Sequence, residues 1–260
     1  MPTVNADGCL LNVVVEGRDS GPTLMLCNSL GSTLQMWDPQ MAALTKLYRV
    51  VRYDRRAHGK SSSPPGPYSM KRFGKDAIAI LDDLNIEKVH WCGLSLGGMT
   101  GQWMGANAPE RINKLILANT SCYFPDPTNW DKRIASVEAG GIESVVDMVA
   151  NVWLTPEFAE HHPDVRNKMK AMMLGCDKEG YLACCRVLRV LDQREFLPKI
   201  KAPTLVIAGK HDNSTPVPAS EYIRKYIPGA SMTLLDAAHI SNMELPHDFT
   251  EAVVGFLSQR

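Results

Sequence analysis

The pentapeptide Gly93-Leu94-Ser95-Leu96-Gly97 sits between the apolar run Val89–Cys92 and a stretch of helical composition, Met99–Asn107. A chain that turns from strand to helix at a serine must bend very tightly. Side chains two residues before and after that serine would collide in the bend, so glycine is required at both flanks. The bend exposes the serine hydroxyl at the carboxyl end of the strand. It also points the N-terminal N–H groups and positive dipole end of the next helix toward the same place. Gly98 adds a further small residue to the turn. The pattern demands a strand, a turn and a helix in immediate succession, with a reactive hydroxyl at the corner.

The rest of the chain repeats the strand–helix rhythm. Leu10–Val15, Thr23–Cys27, Tyr48–Tyr53, Lys114–Ala118, Pro203–Ala208 and Ser231–Leu235 are further β-rich runs. Helical spacing falls at 71–85, 219–226 and 248–259, where Phe73, Ala77, Ile80, Leu81 and Leu84 mark one face of the first. Near-continuous apolar strands separated by helix-length connections predict an α/β fold with a mostly parallel central sheet and helices on both faces. One region breaks the rhythm. Residues 123–197 offer only helical pieces, at 141–149, 164–174 and 178–191, punctuated by Pro125, Pro127, Pro156 and Pro163. About 75 residues exceed what one crossover needs, so the expectation is a helical cap at 123–197 inserted in a core of 1–122 and 198–260.

Charge narrows the partners. Lys plus Arg and Asp plus Glu each number 28, so no net positive charge is available for nucleic acid or an anionic membrane. No run approaches the ~20 apolar residues of a membrane span. The first residues lack the basic start and apolar stretch of a signal peptide. Seven cysteines, an odd number with no Cys-x-x-Cys pair, read as free thiols of a reducing compartment. These features together predict a cytoplasmic protein.

A serine nucleophile needs a base, and the base an orienting acid. His239 follows the last strand and Asp212 the one before it, at the sheet edge where such folds bind ligands. The order Ser95…Asp212…His239 makes Ser95 the candidate nucleophile, Asp212 the acid and His239 the base. His211 is a rival base, but adjacency to Asp212 prevents its ring from lying between that acid and Ser95. Asn119 ends a strand where related folds can carry the acid, and it cannot ionise. Two backbone N–H groups should receive an oxyanion, one from Leu96 after the nucleophile and one from Leu30 in the loop after Cys27. No Cys, His or carboxylate cluster has ligand spacing, so no metal is expected.

Several longer stretches appear in order: Asn28-Ser29-Leu30-Gly31, Trp37-Asp38, the block 53–61, Gly93 to Gly98, Ala202 to Gly209 and Ala238 to Glu244. With Trp153-Leu154-Thr155-Pro156-Glu157-Phe158 in the insertion, they resemble the 3-oxoadipate enol-lactonases of the β-ketoadipate pathway, within the α/β-hydrolase superfamily. The resemblance covers nearly the whole chain. One departure is Ala57, where the family's Arg-Gly-His-Gly turn usually has glycine, so that turn is expected to be strained or reshaped. The block 54–61 reads as fold-stabilising.

The resemblance implies an α/β-hydrolase fold and a carboxylated enol-lactone substrate, opened through an acyl group on Ser95 without a cofactor. A free carboxylate in an apolar pocket needs a cation. Arg133, beside Trp130 early in the insertion, is the first candidate, with Arg189 and Lys132 as alternatives. Trp130 and Trp153 are candidate pocket walls. A general small-ester or lactone hydrolase, a cofactor-free haloperoxidase-like enzyme and a non-catalytic ligand receptor on the same fold stay open on these residues.

Overall fold

Eight strands form one sheet in the computed structural model, which describes residues 3–259. They are β1 (Thr3–Ala6), β2 (Cys9–Gly17), β3 (Thr23–Cys27), β4 (Arg49–Tyr53), β5 (Val89–Leu94), β6 (Ile112–Ala118), β7 (Thr204–Gly209) and β8 (Ser231–Leu235). Their order across the sheet is β1-β2-β4-β3-β5-β6-β7-β8. β1 and β2 run antiparallel, and every pair from β4 to β8 is parallel. The central strands are buried along most of their length, as their largely apolar composition requires. β1 was not expected. Its four residues alternate exposed and buried, too briefly for a periodic signal.

The helices are α1 (Asp38–Leu44), α2 (Met70–Asp83), α3 (Leu96–Asn107), α4 (Thr128–Gly140), α5 (Glu143–Trp153), α6 (Pro156–His161), α7 (Pro163–Leu174), α8 (Lys178–Arg189), α9 (Val217–Tyr226), α10 (Ser241–Glu244) and α11 (Pro246–Ser258). Ile80 and Leu81 of α2, Trp103 and Met104 of α3 and Ile223 of α9 pack in one apolar layer with Met25, Val51 and Leu117 of the sheet. Leu44 of α1 and Phe249 and Val253 of α11 pack in the other with Leu24, Val50 and Ile116. This second layer continues without a break into Val149, Trp153, Met173 and Tyr181 of the inserted helices. No helix among the described residues is long and apolar enough to cross a membrane.

Five helices, α4 to α8, occupy the insertion between β6 and β7. Its neck is the isolated bridge between Tyr123 and Asp192, reinforced by the Gln193 N–H donating to the Cys122 carbonyl at 2.7 Å. The neck lies a few residues inside the expected boundary at 197, because Leu197 packs with the sheet layer. The insertion is tied to the core by Lys168 with Asp38 at 2.8 Å, by the Asp177 N–H to the Ala57 carbonyl at 3.2 Å, and by the Ile240 N–H to the Trp153 carbonyl at 2.8 Å. All seven cysteines are free and buried. Burial pushes the Cys122, Cys184 and Cys185 thiols up to about 12, so they remain protonated core groups.

Candidate active site

Ser95 stands between β5 and α3 with φ +57° and ψ −117°, a left-handed backbone that a non-glycine residue adopts only under constraint. Its neighbours supply the constraint. The Ser95 N–H donates to the Ala118 carbonyl at 2.9 Å, and its own carbonyl accepts from the Thr120 hydroxyl at 2.8 Å. A Cβ on Gly93 would overlap the Gly97 carbonyl, and a Cβ on Gly97 would overlap the Cys27 carbonyl. Gly98 is equally confined, with Thr120 2.7 Å from where its Cβ would stand. Gly93 and Gly97 are present because backbone passes through the space their side chains would take, and Gly98 because the Thr120 side chain does.

Asp212 and His239 lie at the carboxyl ends of β7 and β8, both nearly inaccessible to water. His239 Nδ1 meets Asp212 Oδ2 at 2.9 Å. The same oxygen accepts from the Thr215 hydroxyl at 2.7 Å and from Asn119 Nδ2 at 3.2 Å. The other accepts the N–H groups of Ser214 at 2.8 Å and Thr215 at 2.9 Å. Burial by itself would push the Asp212 carboxyl up. The charge and hydrogen bond of His239, with the Thr215 donors, outweigh it and hold the group below the usual carboxylate range. Asp212 is therefore an anion, and its contact requires the proton on His239 Nδ1, which leaves Nε2 as the free nitrogen.

Asn119 was weighed only as an alternative position for the acid. Its amide instead links the two loops, donating to Asp212 and to the Ala238 carbonyl at 3.1 Å while accepting from the Ser241 hydroxyl at 2.6 Å. No spacing in the sequence links residues 93 or more positions apart. Thr215 carried a weak local signal, since an aspartate often caps backbone N–H groups two or three residues on. His211 is exposed and paired with Asp236 at 2.8 Å, so it does not compete with His239.

The loop after β3 is held from every side. Arg55 donates to the Asn28 carbonyl at 2.7 Å, Trp37 Nε1 to Asn28 Oδ1 at 2.8 Å, and the Ser32 hydroxyl to the Ser29 carbonyl at 2.9 Å. The Gly31 N–H donates to His58 Nε2 at 3.0 Å, which fixes the proton on Nδ1, facing the Arg56 carbonyl at 3.0 Å. Burial and the neighbouring Arg55 charge lower the His58 pKa to about 3, so this imidazole stays neutral. Leu30 sits in the middle of this braced loop, and Leu96 opens α3 on the other side of Ser95.

Ser95, His239 and Leu30 share a cavity of about 400 Å³ roofed by the insertion. Met99, Phe124, Val149, Trp153, Tyr181 and Leu188 make most of its wall apolar, and Trp130, Lys132 and Arg133 also line it. The Arg133 guanidinium lies 4.9 Å from the Trp130 ring centroid. Burial pushes the Tyr181 hydroxyl up, partly offset by the charge of Arg133 beside it. Arg133 has no carboxylate within ion-pair distance among the described residues, whereas Arg186 pairs with Glu138 and Arg189 with Asp131. Asp126 shares the cavity but accepts from the N–H and hydroxyl of Thr128. The structure corrects one expectation: Arg189 is exposed, neutralised by Asp131, and lines a separate groove with Tyr123 and Arg194, away from Ser95. A larger open groove of about 930 Å³, beside Tyr68, Trp103 and Phe196, contains none of Ser95, Asp212 or His239. Among the described residues no group of three or more His, Cys, Asp or Glu is arranged to hold a metal ion.

The arrangement can carry out acyl transfer: a serine hydroxyl on the cavity wall, an imidazole oriented by a buried carboxylate, and an apolar cavity lined by the Arg133 guanidinium. Residues 22–172 match the family described as the alpha/beta hydrolase fold. 3-Oxoadipate enol-lactonase 2 of Acinetobacter baylyi is 39% identical over 96% of this chain and 94% of its own. The crystal structure of the enol-lactonase from Burkholderia xenovorans LB400 superposes with a TM-score of 0.97, at 37% identity over 99% of this chain and 100% of that one. A hydrolase from Pseudomonas aeruginosa PA01 gives a TM-score of 0.95 at 40% identity over 98% and 97% of the two chains. The chain belongs to the α/β-hydrolase fold family, on the branch of the 3-oxoadipate enol-lactonases.

Proposed function

We propose that this protein hydrolyses a carboxylated enol-lactone, 3-oxoadipate enol-lactone, to 3-oxoadipate through an acyl-enzyme on Ser95. The observation that carries the reading is one apolar cavity lined by Ser95, Arg133 and His239, with the imidazole held from behind by the buried Asp212 carboxylate. The likeness to enol-lactonases over nearly the full chain supports the substrate.

His239 Nε2 takes the Ser95 proton as Oγ attacks the ring carbonyl. Negative charge moves to the carbonyl oxygen, which the N–H groups of Leu30 and Leu96 receive. The bond from the carbonyl carbon to the ring oxygen breaks. The leaving enolate takes the proton back from His239, and the enol becomes a ketone, which opposes reversal. Water then attacks the acyl carbon, giving its proton to His239, and Ser95 Oγ leaves with that proton restored. Asp212 stabilises the imidazolium in both steps and fixes the imidazole tautomer. Arg133 holds the substrate's free carboxylate, with Trp130 and Trp153 as flanking walls. The helices from 128 to 189 act as the cap that closes this cavity from water.

The test is turnover of the enol-lactone against a neutral aryl ester. The lactonase reading expects catalytic efficiency on the lactone to exceed that on the ester by at least about 100-fold, the scale of one well-placed charge contact. Equal or reversed efficiencies would assign a general small-ester hydrolase instead.

A further inference from the structure

Glu244 closes α10 with a carboxylate only 5% exposed, and no lysine or arginine pairs with it among the described residues. A buried carboxylate needs donors. It has them from two directions. The Ala238 N–H donates to Oε2 at 2.9 Å. From the insertion, the Thr155 N–H approaches both oxygens at 3.2 and 3.3 Å, and the Thr155 hydroxyl donates to Oε1. Thr155 is the N-cap of α6, two residues after Trp153 ends α5.

Ala238 and Ile240 flank His239. The first is bonded to the insertion through Glu244, and the second directly, by its N–H to the Trp153 carbonyl at 2.8 Å. Both backbone neighbours of the imidazole are thus fastened to the α5–α6 junction. Trp153 and His239 face the same cavity. We propose that Glu244 is a positioning residue that couples the insertion to the base, holding His239 and the Trp153 wall as one unit so that the junction cannot shift without moving the imidazole. The proposal rests on the reading of His239 as the base.

Two variants test it. Glu244→Gln keeps the size but turns one acceptor oxygen into a donor that faces donors. Thr155→Val removes the hydroxyl on the insertion side, which also caps the Phe158 N–H of α6, and changes no residue of the core. For each, kcat and KM on the enol-lactone are measured, with the downfield proton resonance of the His239 Nδ1–H. Misplacing a reacting group by about 1 Å can cost about 100-fold. Glu244→Gln should lower kcat by about 10- to 100-fold, and Thr155→Val by about 3- to 10-fold, with KM within about twofold and the resonance shifted or broadened. If Glu244→Gln does not fold, Thr155→Val carries the test alone. Folded variants with wild-type kcat and an unmoved resonance would overturn the proposal, leaving Glu244 as a plain anchor. His239→Ala, run alongside, separates the two readings. Near-normal activity there strikes the base itself. Loss there with wild-type kcat in the other two strikes only the coupling.

Discussion

The methyl group of Ala57 fills the space that a side chain on Gly180 would need. Ala57 keeps the left-handed turn that a glycine would adopt freely, with φ +64°, rather than reshaping it. Its methyl packs against the first turn of α8, and its carbonyl receives the Asp177 N–H just before that helix. The missing glycine of the core turn is matched by a glycine in the insertion. Gly180→Ala should therefore destabilise the protein by roughly 1–3 kcal/mol, the usual cost of overpacking. Ala57→Gly alone should stay within about 1 kcal/mol of wild type, because relief of left-handed strain offsets the lost buried methyl. In the double variant most of the Gly180→Ala penalty should disappear. Chemical denaturation of the four proteins as a double-mutant cycle checks this, and purely additive changes would contradict it.

His58 makes a prediction about acid. Its pKa is lowered from 6.5 to about 3 by burial and by Arg55. The unfolded chain therefore binds a proton below about 6.5 that the folded protein refuses. The stability this group contributes is fully present above 6.5 and falls as pH drops toward 3, by about 1.4 kcal/mol per pH unit inside the window. Asp212 adds in the same direction at lower pH, since its depressed pKa also favours the folded state only while it is ionised. His58→Gln should flatten the slope of unfolding free energy between pH 6 and 4 by about one proton. Denaturant titrations across that range measure the slope directly, and an unchanged slope would refute the assignment.

Arg133 predicts selectivity. A charge-assisted contact to a carboxylate is worth roughly 1.5–3 kcal/mol, or about 10- to 150-fold. Arg133→Ala should lower kcat/KM on the carboxylated lactone by that factor and leave a neutral aryl ester nearly untouched. Damage to the cavity roof would slow both alike. Equal losses on the two substrates, or none on either, would remove Arg133 as the anchor and bring Lys132, on the same cavity, to the test.

How much of this could be read from the chain depended on distance along it. The bend at Ser95 was legible because all its constraints lie between Gly93 and Gly98, and Asp212 and His239 because each follows an apolar strand. α4 was not, since its apolar stripe is only Trp130, Ile134 and Val137, of which Val137 alone is fully buried, while Trp130 and Arg133 line the cavity. Arg189 stood as an alternative to Arg133 in sequence. Only the packing of α8 beside α4 shows that Asp131 neutralises one and leaves the other free. Asn119 with Asp212, and Glu244 with Thr155, join residues about 90 positions apart and have no local signature at all.

The nucleophile remains the centre of the account, and one number tests it: kcat of Ser95→Ala on the enol-lactone, with the fold verified by circular dichroism and its melting temperature. Ser95 hydrogen bonds to Ala118 and Thr120 through its backbone, so removing the hydroxyl should leave the bend intact. Triad deletions cost on the order of 10⁴- to 10⁶-fold in turnover, about 5–8 kcal/mol of barrier. A fall of that size is expected in a fully folded protein. A folded Ser95→Ala that keeps as much as about a tenth of wild-type turnover, far above that range, would contradict it.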